Sequence, residues 1–388
     1  MPNSMKQREA VEFLQRLIQI NSVNPPGNER WVADVIAERA KKYGLDNEII
    51  RLDENRANII VRLKGSGSKP ALVFSGHLDT VPAGENPWIA DPFSGEEIDG
   101  KIYGRGASDM KSGVAAMIEA MISLHAAGAE FPGDIIFAGT AGEEVDCLGA
   151  QAFMDENVFS AAGAIVIGEP TSGEVFIAHK GALWLEITTY GKTAHGSMPD
   201  QGINAIVHMN QIINRLQQYS FSYAEKHQLL GEPTLNISTI SGGIKTNVVP
   251  DRCVLTVDIR TIPEMEHKQI FREIKAILEE LEAATEHFRA EIRVVNDRQS
   301  ISTDRSHPLV DTAVRTNQQI KGHLSEPKGV NYYTDGSVFA PATGLPIIIY
   351  GPGDEKLAHQ PDEYVEIDKY LESIQYYAKF ARNYFENQ

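Results

Sequence analysis

Residues 75–84, with the sequence SGHLDTVPAG, decide how the rest of this chain is interpreted. They follow the apolar run 71–74, ALVF, which predicts a short buried strand. His77 and Asp79 are two residues apart, so their side chains point the same way from an extended chain. An imidazole and a carboxylate therefore leave the end of a buried strand together, where open α/β sheets place their functional sites. The pair suits a metal-binding imidazole oriented by a carboxylate. It suits a simple loop hydrogen bond equally well, and the stretch alone does not decide between the two.

Length and charge exclude several classes of protein. A chain of 388 residues is long for one core and predicts two domains. The net charge of −17 argues against nucleic acid and anionic membranes as partners, because both require a basic face. Cys147 and Cys253 are far apart without CxxC spacing, so neither a disulfide framework nor a thiolate metal site is indicated. The polar start and the absence of an apolar run of roughly 20 residues predict a cytoplasmic protein.

Other ionisable residues follow apolar segments in the same way. Asp109 comes after a glycine-rich stretch and before a predicted buried helix at 114–125. Glu143 and Glu144 follow a predicted strand at 134–139. Each has an ordinary alternative, since Asp109 could cap a helix and the glutamates could begin one.

Glu169 and His359 extend the pattern, because each follows a predicted buried strand, at 164–168 and 345–350. Two histidines and several carboxylates without a thiolate suit zinc, cobalt or manganese. So many carboxylates brought together would repel one another unless cations offset the charge. Two divalent ions can share a bridging water and produce a hydroxide at neutral pH. The full set is His77, Asp79, Asp109, Glu143, Glu144, Glu169 and His359.

The pattern of elements changes near Lys180. From there to residue 296 the predicted order is β-α-β-β-α-β, which is the ferredoxin-like unit. We therefore predict an inserted domain at 180–296 within a discontinuous catalytic domain formed by residues 1–179 and 297–388.

Five motifs, in this order along the chain, resemble those of the M20 metallopeptidase family. They are GHLDTVP (76–82), GRGASDMKSG (104–113), AGEE (141–144), GEP (168–170) and AHQPDE (358–363). The resemblance covers nearly the whole chain and is to the succinyl-diaminopimelate desuccinylase and acetylornithine deacetylase group. It implies an α/β, zinc-peptidase-like catalytic domain with a mixed central sheet flanked by helices. It also implies that the inserted domain forms a homodimer.

The resemblance assigns a metal role to five residues. His77 and Glu169 would bind one ion, Glu144 and His359 would bind the other, and Asp109 would bridge both. The cofactor is then a pair of divalent ions, with zinc first and cobalt or manganese as alternatives.

Three further residues would take part in the reaction. By resemblance, Glu143 is the general base acting with the metal-bridged hydroxide, and it returns the proton to the leaving amine. Asp79 would orient His77. His195, in TAHGS, would cross to the partner subunit and stabilise the oxyanion. An ordinary turn histidine remains the alternative for His195.

Four residues are predicted to contact substrate. Asn247 in TNVVPD and Arg260 in DIRT match substrate-contacting positions of the family. An amide suits an acyl oxygen, and a guanidinium suits a carboxylate. Lys180 lies where desuccinylases carry arginine, and Gly336 is expected to line the pocket. An ion pair on the strand surface remains the alternative for Arg260.

The predicted function is hydrolysis of the amide bond of an N-acyl amino acid. Glu169, rather than aspartate, favours the acylase, desuccinylase and carboxypeptidase members. The segment 179–181, HKG, is similar to the deacetylases instead, so succinyl-diaminopimelate and acetylornithine rank close together. A carboxypeptidase or dipeptidase is the alternative. A catalytically inactive metal-bearing dimer is disfavoured, because Glu143 is present.

Overall fold

A computed structural model of the protein describes residues 3–222 and 226–386. The chain divides into two compact units. Unit 1 comprises the residues up to 178, residues 302–329 and those from 334 onward, and unit 2 comprises residues 179–301 and 330–333. The predicted insertion, 180–296, is shorter than unit 2, and its predicted end falls within a strand that continues to Arg298.

Within the described ranges the chain forms nine α-helices and sixteen strands. The helices are α1 (Asn3–Ile18), α2 (Glu29–Lys42), α3 (Lys111–Ala126), α4 (Leu148–Asp155), α5 (Ala205–Gln217), α6 (His267–Ala284), α7 (Pro308–Lys321), α8 (Gly336–Thr343) and α9 (Ile367–Glu386). The strands are β1 (Asp46–Arg51), β2 (Ala57–Leu63), β3 (Ala71–His77), β4 (Glu97–Ile98), β5 (Lys101–Tyr103), β6 (Ile135–Thr140), β7 (Ala162–Ile167), β8 (Phe176–His179), β9 (Gly181–Tyr190), β10 (Thr234–Gly242), β11 (Arg252–Thr261), β12 (Arg289–Arg298), β13 (Ile301–Ser302), β14 (Lys328–Val330), β15 (Ile347–Ile349) and β16 (Tyr364–Glu366).

The main sheet of unit 1 is mixed, as predicted. Its strand order is β1-β2-β6-β3-β7-β15-β8-β13, with β14 beside β8. β3 runs parallel to both β6 and β7, and β15 runs parallel to β7, whereas β1 and β2 are antiparallel to their neighbours. Every residue of β3 and β6 is buried, which is typical of parallel strands covered on both faces by helices. The predicted fold class is thereby confirmed.

Helix α3 lies directly against this sheet. It is buried along most of its length and packs against α1 and α9. A Cβ atom at Gly113 would lie 2.0 Å from the main-chain oxygen of Gly168. Only glycine therefore permits the first turn of α3 to approach the segment after β7 so closely. The helix begins at Lys111, three residues earlier than predicted, with Met110 rather than Asp109 as its N-cap.

Unit 2 has the predicted ferredoxin-like order, β9-α5-β10-β11-α6-β12. Its antiparallel sheet has the strand order β10-β11-β9-β12. Buried Met209 and Ile212 on α5, and Ile270 and Ile274 on α6, follow the helical spacing of three or four residues. Helix α6 ends at Ala284, because the next residue is extended.

None of the helices in the described part of the chain combines the length and apolar character needed to cross a bilayer.

Candidate metal centre

Three parallel strands of unit 1 place predicted site residues at one edge of the sheet. β3 ends at His77, which is paired in register with Thr140 at the end of β6. Glu143 and Glu144 follow β6, and Glu169 follows β7, two residues beyond its last strand residue. Because the carboxyl ends of parallel strands meet at the same edge, residues that are distant in sequence converge there.

The five residues predicted as metal ligands are brought together as two groups that share Asp109. His77, Asp109 and Glu169 form one group and Asp109, Glu144 and His359 the other, and within each group the potential ligand atoms lie within 4.8 Å of one another. His77 Nε2 is 3.0 Å from Asp109 Oδ1, whereas His359 Nε2 is 3.4 Å from Asp109 Oδ2. Asp109 therefore presents one carboxylate oxygen to each group.

The surroundings of the two imidazoles suit a cation. His77 Nδ1 is 3.0 Å from the main-chain oxygen of Asp79, which can only accept, so the ring proton is assigned to Nδ1 and the Nε2 lone pair faces carboxylates. Burial lowers the pKa of His77, but the Glu169 and Asp109 carboxylates outweigh burial and raise it well above its ordinary value. Hydrogen bonds to Asp109 and Glu144 raise the pKa of His359 to about 10. A bound cation would take the place of these protons.

The carboxylates of the cluster support the same conclusion. In residues 3–222 and 226–386, the ion pairs of Asp109, Glu144 and Glu169 are with the two histidines only. Burial, and then the charge of Asp109, raises the pKa of both Glu144 and Glu169. Two imidazoles and three carboxylates without a thiolate form a donor set that zinc, cobalt and manganese accept. The residues present therefore fit a pair of divalent cations.

Asp79 holds the turn that follows β6. Its carboxylate accepts hydrogen bonds from the main-chain N–H groups of Glu143 and Glu144, each at 3.2 Å, and from Asn24 Nδ2 at 3.0 Å. Gly142, immediately before, has φ +82, a left-handed conformation that favours glycine. The sequence predicted that the Asp79 carboxylate orients His77. Asp79 Oδ1 lies 3.6 Å from His77 Nδ1, whereas the hydrogen bond of this nitrogen is to the Asp79 main-chain oxygen. The Asn24 contact could not be predicted from the sequence.

Glu143, the predicted general base, is buried with 6% of its surface exposed. In the part of the chain that the structure describes, its Oε1 atom has no hydrogen-bond partner. Burial raises its pKa well above the ordinary value, although the positive charge of His77 opposes this. A buried carboxyl group with a raised pKa and a free oxygen is the kind of group that general acid–base chemistry uses.

Sequence reasoning named Gly336 but missed its neighbour Asp335. Thr140 Oγ1 donates to Asp335 Oδ2 at 2.5 Å, and burial raises the pKa of Asp335 to about 6. Its position immediately before α8 is the available signal, because Asp109 likewise precedes a helix. Gly336 is buried, and its main-chain N–H donates to Thr334 Oγ1 at 3.0 Å.

Two of the predicted residues of unit 2 lie on adjoining loops. His195 is exposed, with Nδ1 2.8 Å from Ser197 Oγ. The main-chain N–H of Gly196 donates to the main-chain oxygen of Asn247 at 2.9 Å. His195 and Asn247 are thus brought to neighbouring positions of one surface.

The two positively charged side chains that were predicted to bind substrate both have partners within the protein. Lys180 Nζ donates to the main-chain oxygen of Glu232 at 2.6 Å. The Arg260 guanidinium contacts the Asp258 carboxylate at 3.0 Å. The strand-surface ion pair, which the sequence left as the alternative for Arg260, is therefore present.

The mixed sheet thus carries, at one edge, five residues whose side chains could hold two metal ions. The family model described as peptidase family M20/M25/M40 matches residues 73–383. The chain therefore belongs to this family and is a hydrolase that acts on amide bonds. The match confirms the resemblance seen in its motifs.

Two curated relatives cover nearly the full chain. A probable succinyl-diaminopimelate desuccinylase of Staphylococcus epidermidis is 29% identical over 98% of this chain and 99% of its own. An acetylornithine deacetylase of Buchnera aphidicola is 34% identical over 92% of this chain and 93% of its own.

Solved structures support the fold. An M20 family metallo-carboxypeptidase from Sulfolobus solfataricus aligns with a TM-score of 0.80 at 20% identity, covering 99% of both chains. A dinuclear metal binding peptidase of the M20 family from Bacillus subtilis aligns with a TM-score of 0.77 at 17% identity, covering 100% of both chains.

Proposed function

We propose that this protein is a two-metal deacylase that hydrolyses the amide bond of an N-acyl amino acid. N-succinyl-diaminopimelate and N-acetylornithine are the two candidate substrates, in keeping with the names of its curated relatives. The observation that carries the proposal is Asp109, which gives one carboxylate oxygen to each of two histidine–carboxylate groups. We expect the protein to act in the cytoplasm, as its sequence predicts.

Each of the two groups would hold one ion. His77 and Glu169 would bind the first, Glu144 and His359 the second, and Asp109 both. Divalent ions bound there polarise a carbonyl group and lower the pKa of water. We favour zinc first, with cobalt or manganese as alternatives, because the donors are imidazole and carboxylate.

Glu143 would move the proton that the reaction requires. Its carboxylate takes a proton from the attacking water as the oxygen bonds to the acyl carbon. When the carbon–nitrogen bond breaks, Glu143 passes this proton to the leaving nitrogen, so the products are a carboxylic acid and an amine, which ionise to a carboxylate and an ammonium group. Asp79 supports this step by accepting from the main-chain N–H of Glu143, which keeps the base in place.

Unit 2 would form a homodimer and supply His195 to the partner's site. The edge strands of its sheet carry exposed apolar side chains, with Ile240 on β10 54% exposed and Val295 on β12 50% exposed. Exposed apolar residues on edge strands favour pairing with another chain. His195 would donate to the oxyanion that forms at the acyl carbon.

The remaining predicted residues would recognise the substrate. Arg260 or Lys180 would bind a carboxylate distant from the scissile bond, Asn247 would donate to an acyl oxygen, and Gly336 would line the pocket. Because Arg260 already pairs with Asp258, a substrate carboxylate would have to share the guanidinium with this partner.

The test is turnover of the metal-loaded protein on N-succinyl-diaminopimelate, N-acetylornithine and a dipeptide, measured side by side. Preference for either acylated compound supports the proposal and identifies the acyl group. Hydrolysis of the dipeptide alone would reassign the protein as a peptidase of the same family. Turnover of none of the three by protein with bound metal would contradict the proposed substrate class.

A further inference from the structure

We propose that Glu363 is a positioning residue of the metal centre, whose buried carboxylate holds the loop that carries Asp109 against the segment that carries His359. This inference rests on the proposed metal assignment, but it does not depend on which amide is cleaved.

The Glu363 carboxylate, which is fully buried, accepts four hydrogen bonds from one loop. Oε1 accepts from the main-chain N–H of Ser108 at 2.8 Å and of Asp109 at 2.9 Å. Oε2 accepts from the main-chain N–H of Gly106 at 3.1 Å and from Arg105 Nη1 at 2.5 Å. One side chain thus satisfies three main-chain N–H groups of this loop, including that of Asp109, the residue that faces both histidines.

Hydrogen bonds to main-chain oxygens also join the loop that carries Asp109 to the segment around Glu363. The Gly104 N–H donates to the main-chain oxygen of Glu363 at 2.9 Å, and Ser108 Oγ donates to the main-chain oxygen of Tyr364 at 2.8 Å. Glu363 lies four residues after His359. A displacement at this junction would therefore move Asp109 relative to His359, and both belong to the same ligand group.

The contacts explain why a carboxylate is needed and not merely a side chain of this size. All four partners are donors, so both oxygens must accept. Glutamine would direct an NH₂ group at one of these donors, in a site where water cannot compensate. The Arg105 guanidinium, itself 1% exposed and lying 5.2 Å from the Trp88 ring centroid, balances the charge.

A purely structural role for Glu363 would predict a different result. It would lower the melting temperature of the metal-free protein and leave its affinity for metal unchanged. A positioning role predicts weaker metal binding in a protein that is still folded. Hydrogen-bonded residues behind metal ligands typically contribute about 10–100-fold to affinity.

The experiment is calorimetric titration of metal-free protein with zinc, comparing wild type, Glu363→Gln and Glu366→Gln. Glu366 is the matched control, because it lies three residues later, at the end of β16, and contacts only Lys369 at 3.7 Å among the described ion pairs. We expect Glu363→Gln to bind at least one ion about 10–100-fold more weakly, with Glu366→Gln unchanged.

Ser108→Ala provides a milder form of the same test, should Glu363→Gln fail to fold. It removes the bond that Ser108 Oγ donates to the Tyr364 main-chain oxygen and the bond that it accepts from the Asp354 main-chain N–H, without disturbing a buried charge. We expect a several-fold loss of zinc affinity. Wild-type affinity in the folded variants would overturn the inference. Failure of the wild type to hydrolyse acyl substrates would count against the proposed function, whereas this binding readout would still decide the role of Glu363.

Discussion

Replacing Glu143 with glutamine tests the proposed proton transfer. The substitution keeps the size of a side chain that is 6% exposed, and the main-chain N–H of residue 143 can still donate to Asp79. None of the five proposed ligands is changed. We therefore expect the variant to fold and to bind metal as the wild type does.

The expected loss follows from the two roles of one carboxylate. General acid–base catalysis contributes about 10²–10⁴-fold, and Glu143 would act first as base and then as acid. We expect kcat to fall by about 10³–10⁴-fold, which corresponds to about 4–5.5 kcal/mol at about 1.36 kcal/mol for each tenfold change.

The assay measures kcat on the preferred acyl substrate together with metal content on the same samples. Glu156→Gln is the control, because this glutamate is exposed at the end of α4. A variant at residue 143 that keeps both ions and stays within tenfold of the wild-type kcat would refute the assignment of Glu143 as the base.

Two further predictions concern the subunits and the pH. Mixing His195→Ala with Glu143→Gln, each inactive alone, should restore about a quarter of wild-type activity, since half of the dimers then contain one complete site; absence of recovery in confirmed mixed dimers would contradict a His195 shared between subunits. In the metal-free protein, burial raises the pKa of Glu143 above its ordinary value of 4.5. The folded protein therefore holds this proton more tightly than the unfolded chain does, and the stability that the proton confers on the folded state is lost as pH rises through the raised pKa. Glu143→Gln should therefore gain stability over wild type with increasing pH, up to about 1–3 kcal/mol by denaturant unfolding, and a difference that does not vary with pH would count against the shift.

The sequence could indicate the proposed ligand residues because each stands at a recognisable point of the chain. His77, Glu144 and Glu169 follow buried parallel strands, and sheet geometry alone predicts that such positions converge. The ferredoxin-like order of unit 2 was predictable for a similar reason, since it depends on the succession of elements and not on distant contacts.

Residues that support the site could not be predicted in this way. Asn24 contacts Asp79 across 55 residues, and Glu363 contacts the Asp109 loop across about 255. Neither stands at the end of a buried strand, so periodicity gives no signal for them. The predicted end of the insertion, at 296, falls inside β12, because the exposed, charged residues at the end of this strand resemble a loop.

The most direct test of the account measures amide hydrolysis and bound metal on one preparation, before chelation, after chelation and after zinc is restored. We predict two ions per chain in the active protein, loss of turnover on the acyl substrate when they are removed, and recovery when they return. Asp109→Asn should bind neither ion tightly, because both groups share this carboxylate. Hydrolysis that persists in the chelated protein, or full metal content in the Asp109→Asn variant, would contradict the proposed two-metal centre.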